Sequence, residues 1–242
     1  MSEGARTLDG FLGGRLTIEQ PKRGFRAGHD TVLLAAAIPA DPGSRVLELG
    51  SGAGVASLCL AARVPSVDVA GVEIDPDLVA LANENAVRNG VSGRVRFEAA
   101  DVLRKDHAAS FDHSFFNPPF YPASGQESPN PARDRAMRDT AEAIAAWMRA
   151  ALSAVKDGGT ASAIVRADRA LELLNPAEGI AAILFPLFPR AGEIPKRAII
   201  QVTKNRPGSV RTAAGLVLHE ADGRNTEAAE AVLRYGARLR LD

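Results

Sequence analysis

The chain has 242 residues, 46% apolar and 24% charged, which is the balance of an ordinary soluble globular protein. Its 29 basic side chains meet 29 acidic ones, so a net charge of zero excludes a whole-molecule field that attracts nucleic acid and leaves only local patches. The single cysteine, Cys59, excludes an intramolecular disulfide, and no run of about 18 uninterrupted apolar residues predicts a membrane helix.

The start, "MSEGARTLDGFLGGRL", lacks the long apolar core of a secretory signal. Together with the lone cysteine, this sets the expectation of a cytoplasmic protein. The glycine-rich "FLGGRLTIEQPKRGFRAGHD" reads as a small hairpin. "DTVLLAAAIP" reads as a short helix, capped by Asp30 or Thr31 and stopped by Pro39. Strands and helices then alternate. Strands are expected over residues 44–50, 68–74, 94–101, 111–117 and 160–166. Helices are expected after the turn at Gly54, over residues 75–90, and over residues 140–159. Such alternation predicts a parallel sheet covered on both faces. The tail differs, because "GIAAILFPLFP", "RAIIQVTKN" and "GLVLHE" are apolar runs with little helix between them. They predict an antiparallel pair at the far end, followed by a last helix in "TEAAEAVLRYG". The expected organisation is an N-terminal extension, residues 1–43, and one main domain, residues 44–242.

"VLELGSGAG" sets Gly50, Gly52 and Gly54 between a strand and a helix. Glycines there permit a tight turn and close approach of a ligand, and amides at a helix start favour polar or anionic groups. Glu73 ends the next strand, where a carboxylate can accept both ribose hydroxyls of an adenosine. Asp101 ends the third, where it could meet an adenine amino group. The fourth strand runs into Asn117-Pro118-Pro119-Phe120. Two prolines end the strand and lock its exit, since each lacks a ladder donor and has a fixed φ.

The run Glu48-Leu49-Gly50-Ser51-Gly52-Ala53-Gly54 resembles the first motif, E/D-x-G-x-G-x-G, of class I S-adenosylmethionine-dependent methyltransferases. A dinucleotide enzyme would ordinarily space its glycines G-x-G-x-x-G. The resemblance implies that Glu48 faces the cofactor's amino end, and that Ser51, Ile74, Val102 and Asn117 join Gly50, Gly52, Gly54, Glu73 and Asp101 around it. Asn117-Pro118-Pro119-Phe120 resembles the [DNS]-P-P-[YFW] motif of amino-group methyltransferases, which implies Asn117, Pro118, Pro119 and Phe120 as catalytic. An exocyclic adenine amine is a poor nucleophile because its lone pair is delocalised. The Asn117 oxygen and the Pro118 carbonyl can accept from that NH₂ and localise the pair, while Phe120 stacks on the base. Such catalysis is positioning and preorganisation.

"GFRAGHDTVLLAA", "VLELGSGAG", "GVEID", "FFNPPF" and "LVLHEADGRNTEAAEAVL" occur in the order of the bacterial tRNA1(Val) adenine-37 N6-methyltransferase family, to which the chain is similar over nearly its full length. The family commonly carries Tyr where this chain has Phe120. The resemblance implies a Rossmann-like α/β fold: a seven-stranded, mostly parallel sheet with helices on both faces and an antiparallel C-terminal strand pair. It implies methylation of adenine N6 in RNA, tRNA above all, with S-adenosylmethionine and without a metal. Glutamine-amide methylation of a protein uses the same motif, but those enzymes usually carry a larger N-terminal helical domain. A non-catalytic nucleic-acid-binding protein on the same fold is the third reading.

Phosphate contacts need cations. The candidates cluster at Arg15, Lys22, Arg23 and Arg26, at Arg133, Arg135 and Arg138, and at Lys196, Arg197, Lys204, Arg206 and Arg211. Arg26, Tyr121, Arg133 and Arg135 are the substrate-binding expectation, with residues 121–139 as a loop able to close over a nucleotide. Arg26 and Asp30 could also shape the cofactor pocket or simply pair with each other. The four histidines have no metal-ligand spacing, and His219 reads as a strand-end hydrogen-bonding residue. Trp147, Met148 and Cys59 read as core packing.

Overall fold

The structure, a computed structural model, describes residues 6–104, 109–118, 141–175 and 179–242. The chain opens with an antiparallel hairpin, β1 (Arg6–Phe11) and β2 (Leu16–Pro21), followed by α1 (His29–Ala37). It then alternates through β3 (Arg45–Leu49), α2 (Val55–Arg63), β4 (Asp68–Glu73), α3 (Pro76–Arg88), β5 (Val95–Ala99) and β6 (Phe111–Phe116). Next come α4 (Ala141–Ala154), β7 (Val155–Arg166) and the short α5 (Ala170–Leu174). Four strands follow, β8 (Ile180–Phe188), β9 (Arg197–Pro207), β10 (Val210–Thr212) and β11 (Leu216–Val217), before α6 (Glu227–Leu233).

Seven strands lie in the order β8-β9-β7-β6-β3-β4-β5, with β10 and β11 both pairing along β8. Strands β3 to β7 pair in parallel, whereas β9 runs antiparallel between β7 and β8. The mostly parallel α/β sheet and the antiparallel C-terminal pair agree with the expectation. The strand number differs: Val210–Thr212 and Leu216–Val217 raise seven to nine among the described residues, as short pieces that the apolar pattern is too brief to reveal. From β3 the chain winds outward through β4 and β5, then returns to β6 on the opposite side of β3. Open α/β sheets bind ligands at such a reversal, outside the carboxyl ends of the strands.

Both faces are covered, so successive strand residues enter different cores. Val46 and Phe115 pack with Leu33, Leu34, Leu58 and Leu60 of α1 and α2. Leu47, Leu49 and Phe116 pack with Met148 of α4 and Leu173 of α5. Cys59 is buried in the first of these, and Met148 in the second, as expected.

Two helix boundaries differ from the sequence reading. The helix expected to reach residue 159 ends at Ala154, because Val155 leaves it to pair with Phe111, and Lys156 reaches Asp112 at 2.8 Å. At α1 neither Asp30 nor Thr31 caps the helix. Gly28 holds the cap position, the Thr31 side chain is buried, and the Asp30 carboxylate is drawn 2.7 Å from Arg197 Nε.

The hairpin is tied to the sheet domain by two asparagines one turn apart, Asn85 in α3 and Asn89 at its C-cap. Asn85 Oδ1 accepts from Glu19 N at 2.9 Å, and its Nδ2 donates to Glu19 O at 3.0 Å. Asn89 makes the same pair of bonds to Thr17, at 3.0 and 2.9 Å. The two amides serve the outer edge of β2 as a neighbouring strand would, leaving no raw edge there. Asn85 Nδ2 also donates to Ala53 O at 3.1 Å, which links the hairpin to the glycine turn.

Candidate active site

The strand register sets the site. Leu49 lies opposite both Val72 and Phe116, and Val72 lies opposite Glu98. The chain therefore leaves the sheet at one level at Gly50, Glu73 and Asn117, three of the residues the sequence singles out. Gly50 N and Ser51 N both donate to Val72 O, at 2.8 and 3.0 Å, which curls the glycine turn over the end of β4. Gly54 N donates to Ser51 O at 2.8 Å and opens α2. Gly50, Gly52 and Gly54 have φ of 71°, 53° and 82°, a region that other residues enter at a cost. Gly52 faces open space, whereas a Cβ on Gly50 would stand 2.8 Å from Cη2 of Trp147.

Glu73 is fixed by the turn it was expected to complement. Its Oε2 accepts from Gly52 N and its Oε1 from Asp75 N, each at 3.0 Å. A carboxylate offers about four acceptor positions, of which the described residues fill two and leave two for a ligand. Ala100 N donates to Glu73 O at 2.9 Å, bringing the Asp101 segment alongside. Asp101 accepts from Leu103 N at 3.0 Å and lies 3.4 Å from Arg104 Nε. Ile74 is 46% exposed and Leu103 41%, so an apolar side chain stands open beside each acid. Leu103 was not foreseen; an apolar residue two positions after Asp101 was its only signal. Val102 turns inward instead and packs with Leu47, Leu49 and Val72.

Glu48 is 6% exposed. Its Oε2 accepts from Ser57 N at 3.1 Å and from the Ser57 hydroxyl, so this oxygen braces the first turn of α2 behind the loop. Burial pushes the Glu48 carboxyl up to about 8, against the two Ser57 bonds, which hold it down.

Two polar atoms of this region are buried without a hydrogen-bond partner among the described residues: Ser51 Oγ and Asn117 Oδ1. Leaving such an atom unpaired costs about 1–3 kcal/mol, and buried orphans of this kind call for an explanation. A ligand seated across the strand ends would supply the missing donors. Open space at Gly52, two spare acceptor positions on Glu73 and these two orphans together fit an adenosine-type cofactor and an amine substrate.

Trp147 packs against the second core, as expected, and does more. It is half-buried, its ring centroid lies 5.7 Å from that of Phe116 at a tilt of 38°, and its edge abuts Gly50. The indole thus joins the glycine turn to the residue preceding Asn117. Pro118 is buried. Pro119, Phe120, Tyr121, Arg133, Arg135 and Arg138 lie outside the described residues.

Arg26 does not pair with Asp30. It holds the hairpin, reaching Asp9 at 2.7 Å, Thr7 Oγ1 at 2.6 Å and Pro21 O at 3.2 Å. Several other candidate cations brace carbonyls: Arg15 those of Ala62 and Tyr235, Lys204 that of Val155, Arg211 that of Leu241. His219 donates its backbone N–H to Pro189 O at 2.9 Å, but its ring Nδ1 is buried without a partner among the described residues. No group of three or more His, Cys, Asp or Glu among the described residues could hold a metal ion. No described helix is long and apolar enough to cross a membrane. A cavity of about 830 Å³ opens elsewhere, lined by Glu220, Asp222, Glu227 and Glu230. Its lining is acidic on balance, since Arg224 is paired with Asp222 at 2.7 Å, and none of the expected site residues lines it, so the strand ends remain the better site.

Curated proteins similar to this chain include tRNA1(Val) (adenine(37)-N6)-methyltransferases. That of Bacteroides thetaiotaomicron is 26% identical over 81% of this chain and 84% of its own length. The Haemophilus influenzae protein is 25% identical over 91% and 95%. The Enterobacter protein is 30% identical over 62% of each. Among solved structures, a predicted O-methyltransferase of Agrobacterium tumefaciens superposes with a TM-score of 0.74 at 22% identity, covering 87% of this chain and 98% of that one. At that identity the likeness establishes the fold alone. Residues 26–165 match the methyltransferase small domain, and the stretch takes in the glycine turn, both acids and Asn117. The chain belongs to the methyltransferase small domain family.

Proposed function

We propose that the protein is an S-adenosylmethionine-dependent methyltransferase of adenine N6 in RNA, with a tRNA as substrate, working in the cytoplasm. The observation that carries the reading is Asn117 Oδ1, one residue past β6 and level with Gly50 and Glu73, buried and without a partner among the described residues. An acceptor held ready at that level suits an NH₂ group. The relatives named above act on a tRNA adenine, which favours RNA over protein.

When bound, S-adenosylmethionine supplies a methyl carbon made electrophilic by its sulfonium. The chain's own residues bind and orient. Glu73 accepts from the ribose hydroxyls with its two spare positions, and the amides from Gly50 to Gly54 meet the polar end at the start of α2. Asp101 would accept from the cofactor's adenine amine, and Ile74 and Leu103 would offer apolar contact to its ring. Asn117 Oδ1 and the Pro118 carbonyl accept from the substrate amine, localising its lone pair and aiming it. Methylation itself acidifies the amine, so its proton leaves afterwards without a strong base. Phe120 stacks on the substrate base, as the motif resemblance suggests, and Arg133 and Arg135, close to that motif in sequence, take phosphates.

The test is incubation with methyl-labelled cofactor and total RNA beside total protein, followed by nucleoside and amino-acid mass spectrometry. Label in N6-methyladenosine of the tRNA pool is the expected result. Label in protein glutamine, with none in RNA, overturns it.

A further inference from the structure

We infer that residues 22–25 form a docking element for single-stranded nucleic acid, with Phe25 stacking on a base beside the target adenine and Lys22 and Arg23 contacting phosphates. The inference rests on the RNA reading proposed above.

The loop is held at its base and open at its tip. Buried Gln20 clamps both backbone groups of Ala27: Oε1 accepts from Ala27 N at 2.8 Å and Nε2 donates to Ala27 O at 3.4 Å. Arg26 spends its guanidinium on Asp9, Thr7 and Pro21 O. Residues 22–25 carry no such anchor in the bonds just named and are all exposed. Phe25 is 61% exposed, unfavourable for an aromatic ring unless something covers it.

The ends of the loop fix where it runs. On one side Asn85 bonds Glu19 and also Ala53 of the glycine turn. On the other side Asp30, in the first turn of α1, pairs with Arg197 at 2.7 Å. Arg197 lies opposite Arg166, the last residue of β7, at the carboxyl edge of the parallel strands. The loop therefore enters beside the glycine turn and leaves at the carboxyl edge, the side on which Asn117 emerges.

An exposed ring flanked by two cations suits a base with its phosphates. Aromatic stacking tolerates any base, and the cations track the backbone. An apolar protein partner would call for a continuous apolar patch, and Lys22, Arg23, Gly24 and Arg26 beside Phe25 supply none.

The experiment measures methylation and filter binding of an unmodified tRNA pool transcribed in vitro, over a range of salt. Phe25→Ala is expected to raise KM for RNA about tenfold, with Phe25→Trp close to wild type. Cofactor affinity, measured by calorimetry, stays within about twofold. Lys22→Ala with Arg23→Ala lowers the slope of log affinity against log salt by about 1.4, the release expected for two single-strand phosphate contacts. A wild type that methylates RNA, together with Phe25→Ala at unchanged KM and an unchanged salt slope in the double variant, overturns this inference alone. A wild type that methylates protein and no RNA overturns the underlying reading and this inference with it.

Discussion

Glu73 Oε2 accepts a hydrogen bond from Gly52 N at 3.0 Å, so the acid at the end of one strand and the turn at the end of the next are one rigid unit. A ligand meeting the carboxylate meets an acceptor already aimed. Glu73→Ala should weaken cofactor binding by about 1.5–3 kcal/mol for each charge-assisted bond lost, roughly ten- to hundredfold for one. Calorimetry with S-adenosylhomocysteine measures it, and unchanged affinity contradicts the ribose assignment.

Trp147 is the only tryptophan in the chain, and its edge abuts Gly50. Its fluorescence should change saturably as S-adenosylhomocysteine is added, with a midpoint equal to the calorimetric Kd. A signal that stays flat while calorimetry registers binding contradicts the contact between indole and occupied turn.

Glu48 gives the fold a pH dependence of definite sign. Its carboxyl is pushed from 4.5 up to about 8, chiefly by burial. Between those values the folded chain keeps a proton that the unfolded chain has released. Stability therefore falls as pH rises through that window, by at most about 1.4 kcal/mol per pH unit, and levels off above it. Glu48→Gln keeps an acceptor for Ser57 and removes the proton. The Tm difference between variant and wild type should widen in the variant's favour from pH 5 to pH 8; a constant difference contradicts the assignment.

How much of this was legible depends on how far each partner lies along the chain. The strands around Val46, Val72 and Phe115 were readable because apolar runs and glycine, aspartate or proline breaks are local signals. The glycine turn, Glu73, Asp101 and Asn117 were readable because each closes its own strand, and a parallel sheet aligns such ends of itself. The asparagine clamp was not, since Asn85 and Asn89 meet Glu19 and Thr17 from 66 and 72 residues away. The pairing of Arg26 with Asp30 fails for the same reason: three acceptors in the hairpin outbid Asp30, which Arg197 claims. Trp147 fits a helical core pattern equally well whether its edge meets apolar side chains or the turn at Gly50. Pairing across the sheet ended α4 early, a tertiary effect that helix propensity does not record.

The central claim is that Asn117 Oδ1 receives the substrate amine. The most direct measurement is single-turnover formation of N6-methyladenosine by Asn117→Ala, alongside its calorimetric affinity for S-adenosylhomocysteine. The account predicts loss of turnover by at least about a hundredfold, the scale of removing one preorganised polar contact from a transition state, with cofactor affinity nearly intact. Methylation at the wild-type rate would contradict it.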